Sequence, residues 1–226
     1  DNGAINVLET DGSYVYAAGW TFGRSGGTLE GAVKMSWDDG AIQWLEDCHG
    51  DAYSVFPAQE AVYTASHAHY CGNLPTGFPE GNNTAAFRAN AFSQVTTGTL
   101  SREYKGYTNF EGNPAPSLLH WYPYLVQGTY TGQSQAAWSI TGTSDYIVAA
   151  GEFPRAGSLQ NQYGLVRFAY PDVAGNPNNT AAQSTSDLTL GGFGSPVVTS
   201  PGAGEALVSW QTYWDRDNRQ LTYRVL

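Results

Sequence analysis

The residues best suited to chemistry are crowded into one short stretch of the chain. Three of the four histidines, His49, His67 and His69, lie close to both cysteines and to the carboxylates Asp47 and Asp51. Residues two apart on a β-strand share a face, so His67 and His69 could offer two imidazoles to a zinc ion. A metal site at the three histidines is one hypothesis. The simpler interpretation is that the imidazoles are hydrogen-bonded to carboxylates or backbone.

The chain contains two cysteines, Cys48 and Cys71. This even number predicts a disulfide, and two free buried thiols are the alternative. A disulfide would indicate an oxidising compartment and hence an extracellular location. It would also consume the thiolates, and on regular strands it would turn Asp47, His49 and Asp51 away from His67 and His69. A break of the alternation at Gly50 would restore the group. Because no zinc-binding spacing is matched either, we expect no cofactor.

Carboxylates are numerous, but nothing in the sequence selects a catalytic pair. Glycoside hydrolysis needs two carboxyl groups roughly 5 to 9.5 Å apart in a cleft. The nominal candidates are Asp38, Asp39, Glu46, Asp47, Asp51 and Glu152. Asp38-Asp39-Gly40 is more simply a hairpin turn, and the sequence has neither a serine nucleophile elbow nor a phosphate-binding glycine loop. We therefore expect no enzyme activity, with a polysaccharide-active hydrolase or lyase as the alternative.

Composition and charge exclude several other classes of function. The 226 residues include 20 acidic and 10 basic side chains, and a formal charge of −10 repels polyanions such as nucleic acids. No segment approaches the roughly 20 apolar residues of a membrane-spanning helix, so we expect no membrane insertion. The 27 glycines, 15 tyrosines and 7 tryptophans are typical of many short strands and turns. The fold class predicted is all-β.

A unit repeated three times organises the first 170 residues. Segments 15–20, 62–67 and 147–152 are similar strands of β-branched and small residues. Each follows a shorter strand and precedes a third strand that carries one basic residue, Lys34, Arg88 or Arg167. A fourth strand is predicted at 41–45 and, more weakly, around 98–100. Four antiparallel strands per unit predict β-propeller blades, and a sandwich of about ten strands is the alternative.

The repeat divides the chain into predicted blades at about 1–47, 48–100 and 135–170. Three blades are too few to close a ring, so the propeller is expected to be partial. Segment 171–195 has the composition of a linker or a loose closing strand. Segment 196–226 resembles the opening strands of a fibronectin type III domain, with Trp210 and Tyr223 as core residues, and the domain would be truncated.

An aromatic insertion at 101–134 interrupts the repeat. Its candidate binding residues are Tyr107, Phe110, Trp121, Tyr122 and Tyr124. Planar rings stack on sugar faces or anchor protein interfaces. The alternative is that the insertion plugs the core of the propeller. Solvent exposure of Trp121 and Tyr122 would favour a binding surface, and deep burial would exclude it.

The chain as a whole resembles extracellular proteins of actinobacteria in which a β-propeller is followed by fibronectin type III, polycystic-kidney-disease or laminin-G-like domains. The resemblance rests on the motifs DCHGD at 47–51, SHAHYCG at 66–72 and GTYTGQSQAAW at 128–138. Bacteriophage tail tips display similar modules. The resemblance implies a non-catalytic structural or adhesive module of a larger surface or virion assembly. Its partners would be other domains or subunits and cell-surface glycan, and a metal-dependent recognition module is the alternative.

Overall fold

A computed structural model gives the fold of the chain. The residues it describes are 2–22, 29–58, 61–79, 87–157, 162–170, 173, 197–200, 202 and 204–209. Their regular structure consists entirely of β-strands in small antiparallel sheets, with no helix, so the all-β prediction is confirmed. The chain divides into two compact units, residues 1–168 and residues 169–226.

The first sheet is a four-stranded meander whose strands follow one another in chain order. Its strands are β1 (Asn2–Thr10), β2 (Tyr14–Phe22), β3 (Gly31–Ser36) and β4 (Ile42–Glu46). The turn between β3 and β4 is the predicted Asp38-Asp39-Gly40 hairpin. Gly40 takes a φ of 71°, a backbone conformation that glycine adopts without a steric cost.

Two three-stranded meanders and one short ladder follow. The second sheet contains β5 (Ala52–Ala58), β6 (Ala61–Ala68) and β7 (Phe87–Ser93). The short ladder pairs β8 (Gly98–Thr99) with β9 (Pro114–Ala115). The third sheet contains β10 (Ala137–Gly142), β11 (Tyr146–Gly151) and β12 (Leu165–Ala169).

The second sequence repeat, at about 48–100, is expected to form a fourth strand in its own sheet, and the predicted pairing of that strand is wrong. A strand does form at β8, but it pairs with β9 and not with β7. The free edge of β7 is taken instead by the insertion, where Leu118 forms an antiparallel bridge with Phe92. Ser93 N–H donates to the Ser117 carbonyl at 2.9 Å, and Leu119 N–H donates to the Ala91 carbonyl at 2.8 Å. The insertion therefore occupies the place predicted for the fourth strand.

The repeated small-residue strands are β2, β6 and β11, and each lies in the middle of its sheet. Their alanines, such as Ala18, Ala65 and Ala149, are almost completely buried. Larger side chains fill the space between the first two sheets. Tyr16, Ala18, Ala32, Trp44, Ala52, Val55 and Val62 form one core cluster there.

The three sheets contact one another through their first strands. Strand β5 packs against β1 and β2, and β10 packs against β5 and β6. Asn6 Nδ2 donates to the Ala52 carbonyl at 2.9 Å. Ser54 Oγ donates to the Ile140 carbonyl at 3.3 Å and accepts from the Ile140 N–H at 3.1 Å. The sheets therefore lie side by side in chain order, and within the described ranges they close neither a barrel nor a ring.

The second unit contributes one short antiparallel pair to the described residues. Strand β13 (Val197–Thr199) pairs with β14 (Leu207–Ser209), with Val198 opposite Val208. Most of the predicted linker at 171–195 lies outside the described residues. Trp210 and Tyr223, the predicted fibronectin core residues, lie outside them as well.

Candidate functional site

A buried disulfide joins the two segments that carry three of the histidines. Cys48 follows β4, Cys71 follows β6, and their sulfurs are bonded as predicted. The bond lies in a core cluster with Leu45, Ala68, Leu74, Phe92, Leu100, Ala115 and Leu118. Beside it, His49 N–H donates to the Tyr70 carbonyl at 2.8 Å, and His69 N–H donates to the His49 carbonyl at 2.9 Å. The backbone at Cys48 and His49 is therefore fixed by a covalent bond and by these hydrogen bonds.

Asp47, His49 and Glu103 form a compact group that we call the acid–imidazole group. One potential ligand atom from each residue lies within 4.8 Å of the others. His49 Nε2 is 2.9 Å from Glu103 Oε2. Asn73 Nδ2 donates to Asp47 Oδ2 at 2.9 Å and to Glu103 Oε2 at 2.8 Å. The three side chains and Asn73 are all buried, so this is a desolvated polar centre.

Aromatic rings cover the imidazole of His49. The ring of Tyr107 stacks on it with centroids 3.8 Å apart, and the ring of Tyr70 lies 4.7 Å away. Tyr107 comes from the insertion and keeps 41% of its surface exposed. A residue predicted to bind partners therefore also separates the acid–imidazole group from solvent.

His49 and Asp51, the residues on either side of Gly50, contact different groups. Gly50 takes a φ of 118°, and a Cβ at this position would lie 2.4 Å from the His67 carbonyl oxygen. Any residue other than glycine would be strained here. Because the backbone turns at Gly50, His49 contacts Glu103, whereas Asp51 lies near Tyr53.

A second polar network runs along β5, β6 and β7. The Tyr53 hydroxyl is 3.4 Å from Asp51 Oδ2 and 2.6 Å from His67 Nδ1. Gln135 Nε2 lies 2.8 Å from the same imidazole nitrogen, and Arg88 Nη1 donates to Gln135 Oε1 at 2.7 Å. Burial lowers the pKa of His67, which favours the neutral imidazole. This network binds the second sheet to the residues just before β10.

The pKa values of the carboxyl groups near the disulfide are shifted in different directions. Burial raises the pKa of Glu30 to about 7, and the neighbouring Asp51 adds to the shift. It also raises the pKa of Asp47 to about 7, although the Asn73 hydrogen bond opposes this. Burial acts on Glu103 too, but hydrogen bonds from Asn73 and the Lys105 N–H, together with His49, lower its pKa below the usual value. Glu103 therefore retains its negative charge more firmly than Asp47 or Glu30.

Glu46 has a structural role beside the disulfide. Its carboxyl oxygens accept from the Ala32 N–H at 2.8 Å and from the Cys48 N–H at 3.1 Å. Burial raises its pKa well above the ordinary value. Glu46 also lies close to Cys48 and Cys71, but the disulfide removes the thiolates that would bind a metal.

The three histidines predicted as a metal set contact different groups. His49 belongs to the acid–imidazole group, and its ring centroid is 6.1 Å from that of His69. His67 instead contacts Tyr53 and Gln135. Glu103 and Asn73 were missed by the sequence analysis because they lie in irregular segments with no motif. The 54 positions between His49 and Glu103 leave no spacing signal.

The five predicted binding aromatics differ in exposure. Trp121 is half-buried, with its ring centroid 4.9 Å from that of Tyr63 and 5.2 Å from that of Phe168. Tyr122 is half-buried against Phe87 at 5.0 Å, and Phe110 packs on the disulfide cluster. Tyr124 is 62% exposed. The insertion is therefore anchored by some rings and presents others to solvent.

Of the six carboxylates considered for glycoside hydrolysis, Glu46, Asp47 and Asp51 lie near the disulfide, and the other three lie elsewhere. Asp38 and Asp39 lie in the exposed turn after β3. Glu152 accepts hydrogen bonds from the Thr131 hydroxyl at 2.6 Å and from Trp138 Nε1 at 3.2 Å. These bonds fasten the end of the insertion to the third sheet.

In the described part of the chain, no helix is long and apolar enough to cross a membrane. Comparison with protein-family models, with curated proteins and with solved structures gave no match to this chain.

Proposed function

We propose that the chain is a non-catalytic, extracellular structural and adhesive module of a larger surface or virion assembly. In this proposal, the three sheets are β-propeller blades, and the second unit is of the fibronectin type III kind. Two observations support assigning the sheets as blades. Each sheet is an antiparallel meander in chain order, and the sheets pack on one another through their first strands β1, β5 and β10. The disulfide supports an oxidising, extracellular location.

The observation that carries the adhesive function is the exposure of tyrosines on an anchored insertion. Tyr104, Tyr107, Tyr124 and Tyr130 are between 41% and 95% exposed. The same segment is held in place by the bridge between Leu118 and Phe92 and by the packing of Trp121. Rigid aromatic rings lose little conformational entropy when they bind, and they stack on the apolar faces of sugars or anchor a protein.

We expect the protein to bind cell-surface polysaccharide without cleaving it. A glycan array identifies the ligand, and a reducing-sugar assay on the bound polysaccharide tests for cleavage. Tyr124→Ala is expected to weaken binding by about tenfold, because a well-packed aromatic contact contributes about 1–2 kcal/mol. Tyr163→Ala is the matched control, since Tyr163 is 68% exposed but lies outside the insertion.

The outcomes separate the adhesive function from its alternatives. Release of reducing ends would identify a polysaccharide-active enzyme. An equal loss of affinity in the Tyr124 and Tyr163 variants would contradict recognition by the insertion. Absence of glycan binding would leave other protein subunits as the partners and would refute the glycan component of the proposal.

A further inference from the structure

We propose that the acid–imidazole group is a binding site for one divalent transition-metal ion of the zinc class. The donors are a carboxylate oxygen of Asp47, a ring nitrogen of His49 and a carboxylate oxygen of Glu103. The inference goes beyond the adhesive function and does not depend on it. It also differs from the three-histidine site considered from sequence, because the two carboxylates replace His67 and His69.

The geometry of the group is close to that of a metal site. Zinc binds imidazole nitrogen and carboxylate oxygen at about 2.0–2.2 Å, so two donors on one ion are separated by about 3–4 Å. The three donor atoms lie within 4.8 Å of one another, and the closest pair, His49 Nε2 and Glu103 Oε2, is 2.9 Å apart. In the proposed site, side-chain rotation directs all three atoms at one centre, and water supplies the fourth ligand of a tetrahedral ion.

The donors are buried and held in position before any ion arrives. Their exposed fractions are 4% for Asp47, 1% for His49 and 8% for Glu103. Asn73 holds both carboxylates with one amide group, and the Tyr70 hydroxyl donates to Asn73 Oδ1 at 3.2 Å. Such supporting hydrogen bonds orient metal ligands in known sites.

The disulfide adds covalent rigidity to the same site. Cys48 lies between Asp47 and His49, and its bond to Cys71 fixes the backbone two residues before Asn73. Glu103 comes from the insertion, so a bound ion would link the insertion to the disulfide. Metal binding would therefore stabilise the attachment of the segment that carries the exposed tyrosines.

The types of donor favour zinc over calcium or magnesium. Calcium takes six to eight oxygen ligands, and magnesium requires an octahedral set of oxygens. An imidazole nitrogen with two carboxylates is instead suited to zinc and neighbouring transition metals. Coordination needs a nitrogen lone pair, so if His49 binds through Nε2, any proton on that nitrogen leaves when the ion arrives.

The proposal is tested on the intact chain after treatment with EDTA and removal of the chelator. Calorimetric titration with Zn²⁺ is expected to show one site, with Ca²⁺ and Mg²⁺ failing to compete. Co²⁺ is expected to give the visible absorption of a four- or five-coordinate site. Glu103→Gln and His49→Gln are expected to lower the affinity by about tenfold or more.

His67→Gln is the matched control, because His67 lies in the second polar network and makes no contact within the acid–imidazole group. It should bind Zn²⁺ like the unmodified protein. Should Glu103→Gln fail to fold, the Co²⁺ spectrum and the stoichiometry of the unmodified protein decide the matter alone. The proposal is overturned if the EDTA-treated protein binds no Zn²⁺, if Ca²⁺ competes equally, or if His67→Gln abolishes binding.

Discussion

Replacing Trp44 with alanine is expected to lower the free energy of unfolding by about 3–5 kcal/mol, the range for removing a large aromatic side chain from a core. Trp44 is completely buried, and its ring centroid lies 6.1 Å from that of Tyr16. It shares a core cluster with Val55 and Val62 of the second sheet, and its Nε1 donates to the Gln94 carbonyl at 3.0 Å. The substitution would therefore remove both the apolar packing between two sheets and a hydrogen bond to the residue that follows β7.

Trp37→Ala is the matched control for this measurement. Trp37 lies in the turn after β3 and is 62% exposed, so its replacement should change stability by less than about 0.5 kcal/mol. Urea unfolding, followed by tryptophan fluorescence and circular dichroism, compares the two variants with the unmodified protein. Equal destabilisation by both substitutions would contradict the packing of the first sheet on the second.

Loss of the disulfide is expected to destabilise the fold by about 3 kcal/mol, because the bond closes a loop across 23 positions of sequence. The double variant Cys48→Ala, Cys71→Ala should unfold at lower urea concentration than the unmodified protein. The loss has two physical causes: the unfolded chain gains conformational freedom, and the replaced sulfurs leave space in the core formed with Leu74 and Phe92.

Reduction provides an independent test of the same bond. Dithiothreitol at a concentration that exposes two titratable thiols should lower the stability of the unmodified protein towards that of the double variant. The double variant itself should be insensitive to the reductant. If reduction of the unmodified protein leaves its urea midpoint unchanged, the disulfide does not stabilise this core.

The local patterns of the sequence predict the strands well. Alternation and the repeated small-residue segments identify β2, β6 and β11, because both signals depend on neighbouring residues only. Two of the basic residues of the third strands also have a local explanation. Lys34 Nζ lies 3.8 Å from the ring centroid of Tyr14, and Arg167 lies 4.7 Å from that of Tyr146, so these two cations pack over a tyrosine of the adjacent strand. Arg88 instead donates to Gln135 and Gln127.

Pairings between distant segments are harder to predict. Leu118 of the insertion occupies the edge of β7. The local sequence at 98–100 does not indicate that this edge is already occupied. The same limit applies to the candidate site. Cys48 and Cys71 are identified by residue type alone, whereas Glu103 and Asn73 become recognisable only when the folded chain places them beside Asp47.

The side-by-side packing of the sheets is tested most directly by amide hydrogen exchange at Ile140. Its N–H donates to the buried hydroxyl of Ser54, which belongs to a different sheet, so protection of this amide reports contact between sheets. We expect slow exchange in the unmodified protein, about tenfold faster exchange in Ser54→Ala, and no change in Ser139→Ala, whose replaced side chain is exposed. Rapid exchange at Ile140 in the unmodified protein, or an unchanged rate in Ser54→Ala, would contradict the packing of the third sheet against the second.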